Sequence, residues 1–266
     1  MSDNWKQRVY DSYMSNGFTE SHNRPKEFEI QYKYFKLNYL KYMPLDKNCK
    51  ILDLGCGMGQ FLDFCIKQGY KNCEGVDISR ENVNYLKKMF GSKVSVFEAS
   101  AVDYLENKHD DYDAIVFNDV IEHLSKKEIF ETLDIIKRAL KPGGVCFIKT
   151  PNMANPYVST VGRYIDITHE VGFTEISMRQ VLRAIGFVRI EVIGTDIYVL
   201  NPIISILAKC ISAINNVVLY FFAALYGRTT IKIYEKDIFE YYGAAEPPVR
   251  YGESHLSGLT EPLRSL

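Results

Sequence analysis

Short aliphatic runs alternate with longer amphipathic segments along the middle of this 266-residue chain. The short runs suit strands of a parallel sheet that is covered on both faces, because such strands are apolar throughout. We place them near residues 50–54, 72–76, 93–97, 113–118 and 143–149. The longer segments repeat apolar residues every three or four positions, and we place helices near residues 59–69, 80–90, 127–140 and 175–185. This alternation predicts a doubly wound α/β sheet.

A further helix should precede the first strand. Pro25 suits the first turn of a helix, and aromatic residues follow it at intervals of three and four. They are Phe28, Tyr32, Phe35, Tyr39 and Tyr42. Such a helix fits simple packing against the sheet, or a lid in which Tyr10 or Tyr13 closes over a bound ligand.

Residues 199–227 form an unusually apolar segment. The 18 residues from Cys210 to Gly227 carry no charge, a length that is marginal for a membrane span. Polar residues nevertheless recur every three or four positions, which places them on one stripe of an amphipathic helix. They are Ser205, Lys209, Ser212 and Asn216. Three alternatives to a span stay open: a cap over a substrate pocket, a homodimer contact through residues 203–226, and peripheral contact with the inner membrane.

Composition and charge narrow the class of protein. Hydrophobic residues make up 47% of the chain and charged residues 24%, which is ordinary for a soluble globular protein. With 32 basic and 33 acidic residues the net charge is −1, so no overall field attracts nucleic acid. The first residues contain no apolar stretch and therefore predict no signal peptide. We expect a cytoplasmic protein with no nucleic-acid partner.

The six cysteines show no C-x-x-C spacing. They are Cys49, Cys56, Cys65, Cys73, Cys146 and Cys210. Because most fall within predicted core elements, we expect free, buried thiols in a reducing compartment.

The first predicted strand runs into the turn Asp-Leu-Gly-Cys-Gly-Met-Gly at residues 53–59. Its three glycines let the backbone turn tightly and approach a ligand, and the next helix points its free N–H groups at the same place. Dinucleotide-binding turns follow the different spacing G-x-G-x-x-G. The second strand ends at Asp77, 22 residues after Gly55. A carboxylate there either binds two ribose hydroxyls or caps the helix that begins near Ser79.

Polar residues also follow the third and fourth strands, where open α/β sheets bind ligands. Ser100 and Ala101 follow the third strand, and Asn118 begins a run that continues as Asp-Val-Ile-Glu-His-Leu. Residues 140–144 then read Leu-Lys-Pro-Gly-Gly, a turn that would start the fifth strand.

In this order, the glycine turn, the Asp-Val-Ile-Glu-His-Leu run and the Leu-Lys-Pro-Gly-Gly turn resemble the class I S-adenosylmethionine (SAM) methyltransferases. The resemblance implies a Rossmann-like, doubly wound, seven-stranded sheet with an inserted C-terminal amphipathic helical cap, and SAM as cofactor. It also implies a set of cofactor-binding residues. They are Asp53, Gly55, Cys56, Gly57, Gly59, Asp77, Ile78, Ser100, Ala101, Asn118 and Asp119. Similar enzymes often carry an aspartate at the position of Ser100. In this chain the implied contact with the adenine would depend on the Ser100 hydroxyl instead of a carboxylate.

A second resemblance concerns the substrate. The segment Asp-Ile-Thr-His-Glu-Val-Gly-Phe-Thr at residues 166–174 is similar to methyltransferases of bacterial surface-polysaccharide biosynthesis. The similarity continues through Ser177, Val181, Leu182, Gly186 and Phe187. It implies a small-molecule, carbohydrate acceptor that is O-methylated in capsule or O-antigen assembly. The alternatives are a quinone-like or lipid-like precursor, a phosphoryl or amine group in a capsule modification, and a SAM sensor or scaffold without catalysis.

Methyl transfer requires the acceptor and the methyl group to be held in contact, and an alcohol acceptor also benefits from a base. His169 is one candidate base, with Asp166 or Glu170 orienting its ring; alternatively it anchors the loop. His123 is the rival candidate. A metal site built from Asp166, His169 and Glu170 would have no distinctive spacing, so we expect no metal.

These patterns divide the chain into five parts. They are an N-terminal helical lid (1–49), a SAM-binding core (50–198), an amphipathic helical insertion (199–227), a closing strand region (228–243) and a flexible tail (244–266). The closing strand is expected at 229–234, antiparallel to its neighbours.

Overall fold

The computed structural model describes residues 5–10, 25–154, 156–195, 202–225 and 238–244. Its sheet consists of β1 Lys50–Leu54, β2 Asn72–Asp77, β3 Ser95–Glu98, β4 Tyr112–Asn118, β5 Leu140–Pro151, β6 Arg189–Gly194 and β7 Ile238–Ala244. The strand order is β3-β2-β1-β4-β5-β7-β6. Strands β1 to β5 pair in parallel, whereas β7 runs antiparallel to β5 and β6.

The helices alternate with these strands along the chain. They are α1 Trp5–Tyr10, α2 Pro25–Asn38, α3 Gln60–Lys67, α4 Arg80–Phe90, α5 Ala101–Leu105, α6 Lys126–Ala139, α7 Pro156–Tyr164, α8 Glu175–Ile185 and α9 Pro202–Leu225. Short 3₁₀ helices cover Leu40–Tyr42, Gly91–Lys93 and Ile121–His123.

The sheet is covered on both faces, as a doubly wound sheet requires. Successive residues of a strand point to opposite faces, so Ile51 and Val116 pack in one apolar cluster while Leu52 and Phe117 pack in the other. The first cluster includes residues of α2, α3 and α4, and the second includes residues of α6 and α8. The predicted Rossmann-like α/β fold is therefore confirmed for its five parallel strands.

The boundaries of α6 and α8 match the prediction closely because local capping specifies them. Ser125 and Glu128 form a capping box before α6, and Thr174 and Ser177 form one before α8. Gly186 then ends α8 in the left-handed conformation. These signals lie within a few residues of each helix end, so the sequence alone reveals them.

Strand β5 differs from the prediction at its start. Tyr112 pairs with Leu140, but the next pair joins Ala114 to Val145, so the predicted turn at 141–144 is an irregularity inside the ladder. Helices α5 and α7 were not predicted. The closing strand predicted at 229–234 lies outside the described residues, and the structure places β7 at Ile238–Ala244.

Helix α2 begins at Pro25, as predicted, and its aromatic residues fasten it to the sheet. Phe35 packs edge-on against Phe61 of α3 at 5.2 Å between ring centroids. Tyr39 is fully buried and stacks on Phe147 of β5 at 5.3 Å. These contacts show that α2 is part of the core, whereas the lid remains a prediction, and Tyr13 lies outside the described residues.

Helix α9 follows β6 and precedes β7 in the chain. Several of its apolar residues are exposed, including Ile203, Ile206, Ile214, Val217 and Phe221. Lys209 is exposed as well, and the other residues of the predicted polar stripe are outside the described side chains. Among the residues that the structure describes, no helix has the length and apolarity needed to cross a bilayer.

The cysteines are all free thiols, and five of the six are buried. Cys210 is the exception, since it is exposed on α9. The prediction of buried thiols is therefore wrong for Cys210, because α9 is not packed into the core at that position.

Candidate active site

A cavity of about 690 Å³ opens at the carboxyl ends of the parallel strands. Asp53 of β1, Asp77 of β2, Asn118 of β4 and Lys149 of β5 all line it. Parallel strands end at the same edge of the sheet, so residues far apart in sequence converge there. The cavity thus lies where the glycine turn and the later polar runs were expected to meet.

The three glycines of the turn differ in the space around them. A Cβ at Gly55 would come within 2.3 Å of the Val120 side chain, and one at Gly59 within 2.5 Å of Leu86. A Cβ at Gly57 would meet nothing within 4 Å, although its φ of +48° is in the left-handed region. Gly55 and Gly59 therefore permit close packing, whereas Gly57 lies beside open space. Gly55 and Gly57 line the cavity.

Asp77 is tied to the glycine turn through its carboxylate. The Gly57 backbone N–H donates to Oδ2 at 2.8 Å, and the Ser79 N–H donates to Oδ1 at 2.8 Å. The Asn82 side chain donates to Oδ1 at 3.2 Å. Ser79, not Asp77, is the N-cap of α4. Because each carboxylate oxygen can accept two hydrogen bonds, Oδ2 keeps acceptor capacity toward a ligand.

Asp53 and Lys149 are two buried ionisable residues that line the cavity. Burial and the nearby Asp77 raise the pKa of Asp53 to about 8, although Lys149 opposes the rise. The buried Lys149 ammonium pairs with Asp119 at 2.6 Å. Asp119 has a positive φ of 52°, which is uncommon for a residue other than glycine and often marks a functional site.

The remaining cofactor candidates also line the cavity, apart from Gly59. Ile78, Ala101 and Cys56 do so directly. Ser100 is the N-cap of α5, where its Oγ accepts from the Asp103 N–H at 3.1 Å and donates to the Asp103 carboxylate at 2.6 Å. The Ser100 hydroxyl is thus engaged within its own turn.

Asn118 ends β4 at the cavity, and its Oδ1 accepts a hydrogen bond from the Tyr39 hydroxyl at 2.8 Å. The amide is therefore oriented by the aromatic core. Since Tyr39 lies 79 residues earlier in the chain, spacing could not have revealed this contact.

His123 lies at the other side of the cavity in a hydrogen-bonded chain. The Thr168 hydroxyl donates to Asp166 at 2.6 Å, so it accepts from Nδ1–H of His123, also at 2.6 Å. This assigns the proton of neutral His123 to Nδ1 and leaves the lone pair on Nε2. Burial and the neighbouring His169 lower the pKa of His123 to about 4, so its ring is neutral at physiological pH.

His169 faces His123 with 4.6 Å between the ring centroids. Its Nδ1 lies 2.6 Å from the carbonyl oxygen of Gly162, which can only accept, so Nδ1 carries the proton. This nitrogen is bound to a backbone carbonyl oxygen and not to the carboxylate of Asp166 or Glu170. Asp166 instead binds Thr168, and Glu170 pairs with Lys6. Arg163 donates to the carbonyl oxygen of His169 and ties this part of the loop to α7.

Glu122 is the buried acid of this region. Burial and the nearby Asp119 raise its pKa to about 8. Thr150 donates to its Oε2 at 3.0 Å, and its backbone carbonyl accepts from the N–H groups of Glu170 and Val171. Glu122 therefore connects the strand ends to the loop that carries His169.

The N-terminal helix α1 closes one wall of the cavity. Tyr10 packs edge-on against His123 at 6.5 Å, and burial raises the pKa of its hydroxyl to about 12. Lys6 donates to the His123 carbonyl oxygen at 2.9 Å. Helix α1 therefore packs against His123, and closure over a bound ligand remains a prediction.

Sequence reasoning missed Glu122, Lys149 and Thr168. Glu122 and Lys149 did leave a signal, since each is a charged residue at the end of an apolar strand or run. Thr168 left none, because a threonine in a loop is ordinary. Asp166 is not among the described residues that line the cavity, and Thr168 connects it to His123, which does line it.

The sequence profile of the methyltransferase domain family matches residues 28–192. An uncharacterized protein of Rickettsia prowazekii is 30% identical over 143 residues, which are 52% of this chain and 56% of that protein. A protein of Bartonella tribocorum named ubiquinone biosynthesis O-methyltransferase is 29% identical over 120 residues, 44% of this chain and 47% of that protein. The chain thus spans about half the length of the curated relatives it matches.

The fold is similar to that of a SAM-dependent methyltransferase from Archaeoglobus fulgidus. The TM-score is 0.61 at 20% identity, covering 86% of this chain and 99% of that one. The prediction of S-adenosylmethionine as the cofactor is confirmed together with the fold. Since the family profile matches more than half of the sequence, the chain belongs to the methyltransferase domain family.

Proposed function

We propose that this protein transfers a methyl group from SAM to a hydroxyl oxygen of a small molecule. The observation that carries the proposal is that one cavity joins the glycine turn and Asp77 to His123 and His169. A cofactor site and two imidazoles that hold lone pairs at Nε2 are the parts that O-methylation needs.

In this proposal, the cofactor lies along the glycine turn. Asp77 accepts hydrogen bonds from the ribose hydroxyls, since its Oδ2 keeps acceptor capacity beside the open space at Gly57. Asp53 faces the methionine ammonium group, whose charge would favour the ionised form of this buried carboxyl. Ser100 and Ala101 contact the adenine, with Ser100 offering its remaining acceptor lone pair.

The reaction requires one proton to leave the acceptor hydroxyl. Its oxygen forms a bond to the methyl carbon, the carbon–sulfur bond breaks, and the electron pair stays on sulfur. His169 is the preferred base because the pKa of His123, lowered to about 4, makes His123 a weak one. His123 and Asp166 then position the loop and the acceptor through Thr168.

For the acceptor, we propose a sugar or sugar-linked precursor of a surface polysaccharide. This rests on the resemblance of residues 166–174 to polysaccharide methyltransferases. Polar groups converge at this side of the cavity, and sugars are recognised through several hydrogen bonds from such groups.

A phenolic quinone precursor is the second candidate. Relatives of this chain are named ubiquinone biosynthesis O-methyltransferases. In addition, apolar side chains are exposed near the loop that carries His169, including Val161, Ile165, Ile167 and Ile176. Exposed apolar surface of this kind suits a lipid-like substrate better than a sugar.

A transfer assay separates the two candidates. Wild type would be incubated with methyl-labelled SAM and either nucleotide-sugars or hydroxylated benzoate and quinone precursors. We expect label in the nucleotide-sugar fraction, and its loss in His169→Ala. Label in the phenolic fraction alone would replace the sugar proposal. SAM binding without transfer to any acceptor of either class would favour a SAM sensor.

A further inference from the structure

We propose that Glu122, His123 and His169 form a binding site for one divalent transition-metal cation. These residues each offer one ligand atom, and the three atoms lie within 4.8 Å of one another. All three residues line the cavity described above. From the sequence we considered Asp166, His169 and Glu170 and expected no metal; the trio proposed here departs from that expectation and shares only His169 with those residues.

The hydrogen bonds fix which atoms are available. Nδ1 of His123 donates to Thr168, and Nδ1 of His169 donates to the carbonyl oxygen of Gly162. In the neutral imidazoles, both Nε2 atoms therefore carry lone pairs. Glu122 receives a hydrogen bond from Thr150 on Oε2, which leaves Oε1 as the second acceptor atom. Two imidazole nitrogens and a carboxylate oxygen are thus available among the three residues.

The surroundings of the histidines match those of metal ligands. A ligating histidine usually donates its other ring N–H to a carbonyl or carboxylate, which fixes the ring and strengthens the ligand nitrogen. His169 does this directly through Gly162. His123 does it through Thr168, whose hydroxyl donates to the buried Asp166 carboxylate. Each imidazole is therefore held by the kind of outer partner that metal sites use.

The distances are compatible with one ion once the side chains close around it. Bonds of about 2.0–2.2 Å to nitrogen and oxygen in a tetrahedral site place two ligand atoms about 3.3–3.6 Å apart. The observed limit of 4.8 Å therefore requires the most widely separated atoms to approach by up to about 1.5 Å. Two imidazoles and one carboxylate favour zinc or another first-row divalent ion over magnesium or calcium. Three protein ligands also leave a position for an exogenous oxygen.

The alternative occupant of this cluster is a proton. A protonated Glu122 could donate Oε1–H to one Nε2 and satisfy two of the three atoms. The second imidazole would then keep an unshared lone pair. Lys6 binds the backbone carbonyl oxygen of His123 and is paired with Glu170 and Glu128, so it does not fill that role.

The catalytic use of the ion rests on the proposed function, whereas the ion site itself does not. An acceptor hydroxyl bound to the cation would have a lower pKa and would release its proton to water. Its oxygen would then attack the methyl carbon of SAM, with the carbon–sulfur electron pair remaining on sulfur. His123 and His169 would act as ligands, and the ion would replace the general base.

The test is a titration of untagged, metal-stripped full chain with Co²⁺, followed by its visible ligand-field bands and by calorimetry without SAM. We expect one ion per chain and bands of a nitrogen-coordinated site. His123→Ala, His169→Ala and Glu122→Gln should each weaken Co²⁺ binding about 100-fold or more. Thr168→Val should weaken it about 10-fold to 100-fold by releasing the His123 ring.

His109→Ala is the matched control, because this exposed histidine lies outside the cavity lining. It should bind Co²⁺ as wild type does. Binding by wild type only above about 1 mM, or binding unchanged in the Glu122→Gln and Thr168→Val variants, would overturn the site and leave a shared proton as its occupant. SAM binding by each variant is measured as the control that the variant is folded. Because the Co²⁺ titration needs neither SAM nor acceptor, a protein that binds Co²⁺ but not SAM would contradict the proposed function and not the ion site.

Discussion

The two sides of the cavity are built in different ways. The cofactor side comes from β1, β2 and the turns that follow them, and the carboxylate of Asp77 is bonded to Gly57 only 20 residues earlier. On the acceptor side, His123 is bonded to Thr168, 45 residues later, and its carbonyl receives Lys6, 117 residues earlier. One side is local and fixed by backbone hydrogen bonds, whereas the other is assembled by side chains from separate segments.

This difference has a physical consequence. Backbone N–H groups that point at a ligand need only a turn of the right shape, so a short motif suffices to specify them. A group of imidazoles and carboxylates needs several elements to pack correctly before the chemistry exists. We therefore expect substitutions on the acceptor side to alter turnover without altering SAM binding. Substitutions on the cofactor side should alter SAM binding without altering turnover.

The largest expected effect is on turnover. His169→Ala should lower kcat about 10²-fold to 10⁴-fold, because either a base or a cation ligand is lost. His123→Ala should cost less if His123 only positions the loop, and a comparable amount if both are cation ligands. Steady-state rates with the acceptor identified by the label assay measure this. Normal turnover in His169→Ala would remove that residue from the mechanism.

The next effect concerns the cofactor side. Asp77→Asn should weaken SAM binding about 10-fold to 100-fold, since a charged acceptor of ribose hydroxyls becomes a neutral amide. Glu98→Gln is the matched control, because Glu98 is the register partner of Asp77 on β3 and does not line the cavity. Isothermal titration with SAM checks both. Equal affinities for the two variants would show that Asp77 only braces the turn.

The sequence placed the cofactor candidates at the cavity, apart from Gly59, because their signals are local. The glycine turn and Asp77 depend on neighbouring residues, as do the ends of α6 and α8 elsewhere in the fold. It predicted the acceptor side poorly, because the tautomer of His123 depends on Thr168 and that of His169 on Gly162. Glu122 was seen only as part of a motif. Its burial depends on packing between segments that the chain pattern does not relate.

The smallest effect is a pH dependence of SAM binding. Burial raises the pKa of Asp53 to about 8, and the methionine ammonium group that we propose beside it would favour its ionised form. SAM affinity should therefore rise as the pH increases toward about 8 and level off above it, by up to about tenfold per pH unit. Without SAM, the contribution of Asp53 to the free energy of unfolding should change in the opposite direction. It should decline as the pH rises from about 4 to about 8.

Calorimetric titrations from pH 6 to pH 9 measure this dependence, with Asp53→Asn as the comparison. The variant should show a flatter profile, because its amide does not titrate. A profile as steep as that of wild type would mean that another group controls the binding of SAM.

The most direct test of the division between the two sides is a titration of SAM, and separately of S-adenosylhomocysteine, into wild type and into the double variant His123→Ala/His169→Ala. We predict one site per chain and equal affinity for SAM in both proteins. Failure of both ligands to bind wild type would contradict the cofactor site itself. Loss of SAM binding in a folded double variant would show that the two sides are not separate.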